Sequence, residues 1–254
     1  MTAFGDLTDR RILVTGSSSG IGRAIALELA AAGADIVLHG RSSTGPIESV
    51  AGEIGALGRR AQVVAQDLLD PLGPEALATA AWDVANALDG VVLNAGVDLL
   101  TGDNREKPYS AKLEMLLAVD VRASVLMARE LGARMKAQGR GSIFTIGWDQ
   151  ADRGMEGDSG ELFSVAKNAV MGFTRSLAVS LAPKVRVNCI APGWIRTAWG
   201  ETTSQVWQDR VLRETPLARW GTPDDIARLA RFLLSDSAEY ITGQVVNANG
   251  GAVR

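Results

Sequence analysis

The stretch TGSSSGIG at residues 15–22 decides the fold, because it joins a short β-branched run at 11–15 to a helical pattern at 21–32. A glycine-rich turn between a strand and a helix leaves backbone N–H groups and the positive end of the helix dipole free to hold a pyrophosphate. Its glycines also permit a tight turn and a close approach of the backbone to a ligand. The stretch therefore predicts a dinucleotide site, and an ordinary strand-to-helix turn is the alternative interpretation.

Short apolar runs alternate with helical patterns along the rest of the chain. Buried parallel strands are predicted at residues 11–15, 35–39, 61–65, 90–94, 142–146, 185–190 and 244–248. Helices are predicted at residues 21–32, 47–57, 112–137 and 163–181, and another helix is opened by residues 222–225. This alternation predicts a single α/β domain over residues 1–254, with a doubly wound parallel sheet of about seven strands and helices on both faces. Residues 194–217 carry little regular signal and are predicted to form a lid over the substrate site.

The composition excludes several classes of function. The chain has 254 residues, 46% of them hydrophobic and 22% charged, which is enough for one large core. A net charge of -3 with scattered Arg and Lys residues offers no basic surface for nucleic acid. Cys189 is the only cysteine, the N-terminus lacks a hydrophobic signal region, and no apolar run approaches a membrane span. We expect a cytoplasmic protein that binds neither nucleic acid nor membrane, and we predict no metal ligands.

The end of the second predicted strand bears on which dinucleotide binds. An acidic residue there would bind the ribose 2′-hydroxyl of NAD and repel a 2′-phosphate, but Gly40 holds that position and Arg41 follows it. A guanidinium beside a 2′-phosphate makes a charge-assisted contact, so NADP(H) is favoured over NAD(H). The alternative is that Arg41 is solvated or stacks on the adenine of either cofactor. His39 is the only histidine, and we expect it to be structural or to face the adenosine.

The chain resembles the short-chain dehydrogenase/reductase family over almost its whole length, and it is similar to the bacterial 3-oxoacyl-carrier-protein reductases within it. Beside the glycine turn, the resemblance rests on NAG at 94–96, PG at 192–193 and YITGQ at 240–244. It implies a Rossmann-type fold, a small-molecule substrate and a homodimer or homotetramer. The cofactor-binding residues that it implies are Gly16, Ser18, Ser19, Gly20, Ile21, Gly22, Arg41, Asp67, Leu68, Asn94, Ala95, Gly96, Lys167, Pro192, Gly193, Ile195 and Thr197.

Members of this family use four catalytic side chains: an asparagine, a serine, and a tyrosine and lysine four residues apart on one helix face. Matched to that pattern, the chain keeps Lys167 and has Asp120 at the asparagine position, Trp148 at the serine position and Phe163 at the tyrosine position. A phenyl ring cannot give or take a proton. The usual carbonyl-reductase chemistry of the family therefore cannot run on these residues.

Several carboxylates are candidates for a relocated acid or base. Asp149 is the first because it directly follows Trp148, and Glu161 is the second because it precedes the helix that presents Phe163. Asp120 could form an ion pair with Lys167, directly or through water, and still carry protons, or it could be a helix-surface or interface carboxylate. If Asp149 acts as a general acid, burial has to raise its pKa well above the usual value of about 3.9. Each loop carboxylate could instead be a solvated charge.

Three functions stay open from the sequence. An NADP(H)-dependent oxidoreductase with a relocated acid or base is favoured. A redox-neutral enzyme with a retained nucleotide, catalysing elimination, epimerisation or aldol-type cleavage, is the second, and a non-catalytic binding or partner subunit is the third. In each case aromatic side chains are expected to wall the substrate pocket, where they suit a sugar, aromatic or acyl ligand or simply a lid packed on its own core. These residues are Trp148, Phe163, Trp194 and Trp199.

Overall fold

The computed structural model describes residues 3–253 and is built around one seven-stranded sheet in which all paired neighbours are parallel. The strands are β1 Arg11–Val14, β2 Asp35–Gly40, β3 Ala61–Ala65, β4 Gly90–Leu93, β5 Gly141–Ile146, β6 Val185–Pro192 and β7 Val245–Ala248. Their order across the sheet is β3-β2-β1-β4-β5-β6-β7. The predicted doubly wound Rossmann-type sheet is confirmed. Because the strand order reverses between β1 and β4, a ligand crevice is expected at the carboxyl ends of these strands.

Helices cover both faces of this sheet. They are α1 Gly20–Ala31, α2 Pro46–Ala56, α3 Gly73–Ala85, α4 Tyr109–Leu116, α5 Ser124–Gln138, α6 Asp158–Leu181, α7 Ala198–Thr202, α8 Gln205–Glu214 and α9 Pro223–Leu234. Successive side chains of a strand point to opposite faces, so Ile12 and Val14 pack in one apolar cluster with residues of α1, α2 and α9. Leu13 lies between them in sequence and packs in a second cluster with residues of α3, α5 and α6. The near-continuous apolar run of β1 is therefore buried on both sides.

The predicted helix at 112–137 is interrupted in the structure. Between α4 and α5, residues Leu117–Ala123 form a π-helix, whose turns are wider than those of an α-helix. π-helical turns inside longer helices are rare and are frequent at functional sites. This segment contains Asp120, which is buried.

The segment at 194–217 is more regular than its sequence indicates, because it contains α7 and α8. The helix α6 also begins five residues before its predicted start, and α3 was not predicted. The helix α9 begins as predicted: the Thr222 hydroxyl accepts a hydrogen bond from the Asp225 N–H, and the Asp225 carboxylate accepts one from the Thr222 N–H. Within residues 3–253, the structure has no helix that is both long enough and apolar enough to cross a membrane.

Candidate active site

The glycine turn has the shape that a pyrophosphate requires. Gly16 and Gly20 have φ angles of 63° and 54°, in the left-handed region that favours glycine. A Cβ atom at Gly22 would lie 2.2 Å from the carbonyl oxygen of Gly16, so no other residue fits there without displacing the turn. Ser19, which precedes α1, makes no side-chain capping hydrogen bond, which leaves the N–H groups of the first helical turn available to a ligand. The residues of the turn therefore fit the phosphates of a dinucleotide.

Asn94 and Thr15 support this turn from the β4 side. The Asn94 side-chain amide donates hydrogen bonds to the carbonyl oxygens of Thr15 and Gly16, at 3.0 and 3.2 Å. The Thr15 hydroxyl in turn accepts from the backbone N–H groups of Asn94 and Ala95, both at 2.9 Å. Asn94 thus fixes the conformation of the glycine turn.

His39 supports the turn from the β2 side. Its Nδ1 atom accepts a hydrogen bond from the Gly16 N–H at 3.2 Å, so its Nε2 atom carries the proton and donates to the Gln66 carbonyl oxygen at 3.0 Å. Burial lowers the pKa of His39 and favours this neutral ring. The sequence predicted a structural or adenosine-facing histidine, and the structure gives it a structural contact with the turn. Its place at the end of β2 was the only sequence signal for this role.

A cavity of about 1200 Å³ opens at the carboxyl edge of the sheet. The predicted cofactor residues that line it are Ile21, Lys167, Pro192, Gly193, Ile195 and Thr197. The four predicted substrate-pocket residues, Trp148, Phe163, Trp194 and Trp199, line the same cavity. The structure therefore brings these six residues of the predicted cofactor site together with the predicted substrate pocket in one cavity.

The other predicted cofactor residues follow the carboxyl ends of four adjacent strands. The strand β1 is followed by Gly16, Ser18, Ser19, Gly20 and Gly22, and β2 is followed by Arg41. The strand β3 is followed by Asp67 and Leu68, and β4 by Asn94, Ala95 and Gly96. Arg41 is exposed, whereas Leu68 is buried. One edge of the sheet thus holds all of these positions, although they come from distant parts of the sequence.

Lys167 and Asp120 form a direct ion pair beside the cavity. The Lys167 ammonium lies 2.9 Å from Asp120 Oδ1, and the other carboxylate oxygen accepts a hydrogen bond from the Val97 N–H at 2.9 Å. Asp120 is 2% exposed. Gly96 lies so close to it that a Cβ atom there would be 2.8 Å from Asp120 Oδ1. Asp120 is therefore a buried anchor for the lysine, and the interpretation as a plain surface carboxylate is wrong.

Phe163 and Trp148 lie together at the cavity wall. Their ring centroids are 6.2 Å apart and the rings meet edge to face, which is a favourable aromatic geometry. Phe163 is one helical turn before Lys167 on α6, so the two side chains share a face of that helix. The wall beside the lysine is consequently apolar.

Asp149 and Glu161 are not among the residues that line this cavity. Asp149 is 3% exposed, and its Oδ2 atom accepts a hydrogen bond from the Asn249 side chain at 3.0 Å. Burial raises the pKa of Asp149 to about 6, against the opposing effect of the hydrogen bond from Asn249. Glu161 is exposed and accepts a hydrogen bond from the Tyr109 hydroxyl at 3.1 Å. The catalytic roles of both carboxylates stay predictions, and neither is supported by a place on the cavity wall.

The segment 194–217, predicted from the sequence to be a lid, is tied by an ion pair to the loop that follows β5. Arg210 on α8 lies 2.5 Å from the Glu156 carboxylate and 2.7 Å from that of Glu214. Its guanidinium also stacks over the Trp207 ring, 4.8 Å from the ring centroid. Trp207 of α8 and Glu156 both line the cavity, so the Arg210–Glu156 ion pair joins α8 to the loop between β5 and α6 at the cavity wall.

A parallel sheet with a glycine turn after its first strand and a cavity at its carboxyl edge is typical of dinucleotide-binding α/β proteins. A family model described as enoyl-(acyl carrier protein) reductase matches residues 16–253. The chain is 36% identical over 248 residues to the 3-oxoacyl-[acyl-carrier-protein] reductase of Aggregatibacter actinomycetemcomitans, covering 94% of this chain and 98% of that one. The chain belongs to the short-chain dehydrogenase/reductase family of oxidoreductases.

Solved structures of the same family superpose on nearly the whole chain. A 7α-hydroxysteroid dehydrogenase in complex with NADH and 7-oxo glycochenodeoxycholic acid has a TM-score of 0.89 and 28% identity, covering 100% of this chain and 98% of that one. A candidate NAD(P)-dependent gluconate 5-dehydrogenase from Beutenbergia cavernae, with NADP bound, has a TM-score of 0.88 and 34% identity, covering 98% and 99%. The fold of this chain is thus shared with enzymes that bind either dinucleotide.

Proposed function

We propose that the protein is an NADP(H)-dependent oxidoreductase in which Lys167, held by Asp120, performs the proton transfer that a tyrosine performs elsewhere in the family. One observation carries this proposal. Of the four acid–base candidates, Lys167, Asp120, Asp149 and Glu161, Lys167 is the one that lines the cavity. In this proposal the positions of the family tyrosine, serine and asparagine hold Phe163, Trp148 and Asp120.

The reaction needs a hydride at the substrate carbon and a proton at the substrate oxygen. A bound nicotinamide dinucleotide would supply or accept the hydride. The Lys167 ammonium would donate a hydrogen bond and then the proton to the oxygen, stabilising the negative charge that develops there. Asp120 would orient the Lys167 ammonium from its buried side. The Phe163 and Trp148 rings would exclude water and so strengthen the attraction between the ammonium and the negative charge on the substrate oxygen.

The preference for NADP(H) rests on Arg41. Its exposed side chain directly follows β2, whose last residue, Gly40, offers no carboxylate to a ribose 2′-hydroxyl. A Cβ atom at Gly40 would approach the Ser42 carbonyl oxygen to 3.2 Å, so there is little room for a larger residue. Arg41 is free to meet a 2′-phosphate with a charge-assisted contact.

We also propose that the protein is a homodimer or homotetramer acting on a small molecule. Val165 and Val179 expose 50% and 81% of their surface on α6, and Leu117 exposes 41% beside α4. Apolar side chains on long helices are suited to an interface between copies of the chain. Light scattering behind size-exclusion chromatography gives the mass of the assembly, and a monomer would contradict this part of the proposal. The expected location in the cytoplasm stays a prediction.

The first experiment is a titration of the purified protein with NADPH and, separately, NADH, followed by energy transfer from tryptophan to the nicotinamide. NADPH is expected to bind more tightly. Arg41→Ala should weaken NADPH binding by roughly tenfold or more and hardly affect NADH, since a hydrogen bond to a charged group contributes about 1.5–3 kcal/mol. Arg129→Ala, which removes an exposed arginine on α5, is the matched control.

Turnover is then measured as NADPH oxidation with a panel of ketones, for the wild type and Lys167→Met. Turnover that survives in Lys167→Met would show that another residue moves the proton. Binding of NADPH with no turnover of any carbonyl or alcohol would favour the non-catalytic function, and turnover without a change in cofactor absorbance would favour the redox-neutral one. Failure to bind either dinucleotide would refute the proposal as a whole.

A further inference from the structure

Three tryptophans form one wall of the cavity. Trp194, Trp199 and Trp207 all line it, and their ring centroids lie 5.5 to 6.2 Å apart. Trp220 packs behind them at 6.1 and 6.5 Å from Trp199 and Trp194, and it is 5% exposed. Because each ring is held by the next, this tryptophan wall (Trp194, Trp199 and Trp207) presents its aromatic surface in a fixed orientation.

A second aromatic surface faces the same space. Trp148 and Phe163 line the cavity beside Lys167 and pack edge to face. Four of the six tryptophans of the chain therefore contribute to one cavity, and a fifth supports them from behind. Aromatic walls of this kind bind flat or ring-containing apolar ligands through stacked and edge-to-face contacts, whereas an unbranched chain makes fewer of these contacts.

The charges around the cavity favour an uncharged ligand. Four of the six charged lining residues are in ion pairs: Lys167 lies 2.9 Å from Asp120, Glu156 lies 2.5 Å from Arg210, and Arg105 lies 3.8 Å from Glu106. Lys112 and Asp158 also line the cavity and carry opposite charges. Among the lining residues that the structure describes, no group of unpaired cations converges on the space where a carboxylate or phosphate of a substrate would sit.

We infer that the substrate is an uncharged ketone, or the corresponding secondary alcohol, with two or more fused rings that stack on the tryptophan wall. This inference rests on the proposed function for its chemistry. In the reducing direction the carbonyl carbon gains a hydride from NADPH, the oxygen gains a proton from the protein, and the products are the secondary alcohol and NADP⁺. The ring system lies against Trp199 and Trp207, and the carbonyl lies toward Lys167.

The test is a calorimetric titration with two ketones of equal carbon number, the bicyclic 2-tetralone and the linear 2-decanone, each with the protein alone and with the protein loaded with NADP⁺, which cannot reduce a ketone during the titration. The bicyclic ketone is expected to bind at least tenfold more tightly than the linear one. Trp199→Ala should weaken its binding by roughly 2- to 13-fold from the loss of ring contacts alone, and by more when buried area is included. Trp199→Phe, which keeps a ring, should retain most of the affinity.

Trp82→Ala is the matched control, because it removes a tryptophan on α3 that does not line the cavity. It should leave the binding of both ketones unchanged. Equal or tighter binding of 2-decanone, no binding of either ketone, or an unchanged affinity in Trp199→Ala would each overturn the inference. NADPH binding, measured separately by energy transfer from tryptophan, distinguishes the two proposals. NADPH binding without ring preference overturns only this inference, whereas ring binding without NADPH binding overturns the proposed function and leaves a ring-binding site without the reduction.

Discussion

Replacing Asp149 by Asn is expected to remove a pH-dependent loss of stability. The carboxyl is 3% exposed, and burial raises its pKa from 3.8 to about 6 in the folded protein. The folded state therefore holds this proton more tightly than the unfolded chain does. The contribution of the group to stability is fully present below pH 3.8 and is lost as the pH rises through about 6.

The size of this effect follows from the shift in pKa. The difference between about 6 and 3.8 is roughly 2.2 units, and at 1.36 kcal/mol per unit this corresponds to about 3 kcal/mol of unfolding free energy. The amide of an asparagine does not titrate, but its oxygen can still accept the hydrogen bond from Asn249. About 0.6 kcal/mol of this loss is already present at pH 4, where the carboxyl of the unfolded chain is more than half ionised. The difference in stability between Asp149→Asn and the wild type should therefore shift in favour of the variant by about 2.4 kcal/mol between pH 4 and pH 8.

The assay is urea unfolding of both proteins at a series of pH values, followed by tryptophan fluorescence at one fixed protein concentration. Any effect of the amide in Asp149→Asn on the unfolding free energy that does not depend on pH cancels, because only the pH dependence of the difference between the two proteins is compared. Asp152→Asn, which alters an exposed carboxylate three residues further on, is the control and should show no such trend. A difference that stays constant from pH 4 to pH 8 would refute the reasoning, since it would mean that the buried carboxyl titrates as it does in the unfolded chain.

Three further experiments probe the position that the family tyrosine would hold, the cofactor turn and the ion pair. Phe163→Tyr places a hydroxyl one helical turn before Lys167 and should raise kcat/KM for ketone reduction by roughly 10²-fold or more, measured as NADPH oxidation, whereas an unchanged rate would show that position 163 lies outside the reaction. Gly22→Ala should abolish NADPH binding in a fluorescence titration, because its Cβ atom would lie 2.2 Å from the Gly16 carbonyl oxygen, and retained affinity would mean that the turn can move aside. Lys167→Met should lower the unfolding free energy by about 3–5 kcal/mol by leaving the buried Asp120 unpaired, and adding Asp120→Asn should recover much of that loss, so two additive losses would argue against a coupled pair.

The fold could be predicted from the sequence because short apolar runs indicate the strands and closely spaced glycines indicate the turn, without reference to distant residues. The apolar run that became β1 and the glycines that follow it identify a parallel sheet and its ligand edge without knowledge of distant residues. The tryptophans of the cavity were also predicted, since Trp148 follows β5 and Trp194 follows β6, where ligands bind in such sheets.

The catalytic candidates were harder to predict because side-chain direction depends on tertiary contacts. Asp149 and Trp148 are adjacent in sequence, yet Trp148 lines the cavity and Asp149 is held by Asn249, a residue 100 positions away. Asp120 could have been a surface carboxylate by its sequence alone, and its burial depends on Val97 and Lys167. No periodicity in the sequence reports such long-range hydrogen bonds.

The π-helical segment between α4 and α5 lets one helical region satisfy two separate packing constraints. The apolar face of α5, with Met127, Leu131 and Met135, belongs to the core, whereas Asp120 has to reach Lys167. Each residue of an α-helix turns the chain by about 100°, so removing one residue from Leu117–Ala123 would rotate one of these faces away from its partner. We therefore expect an insertion or deletion of one residue in this segment to disrupt either the core packing of α5 or the Asp120–Lys167 ion pair.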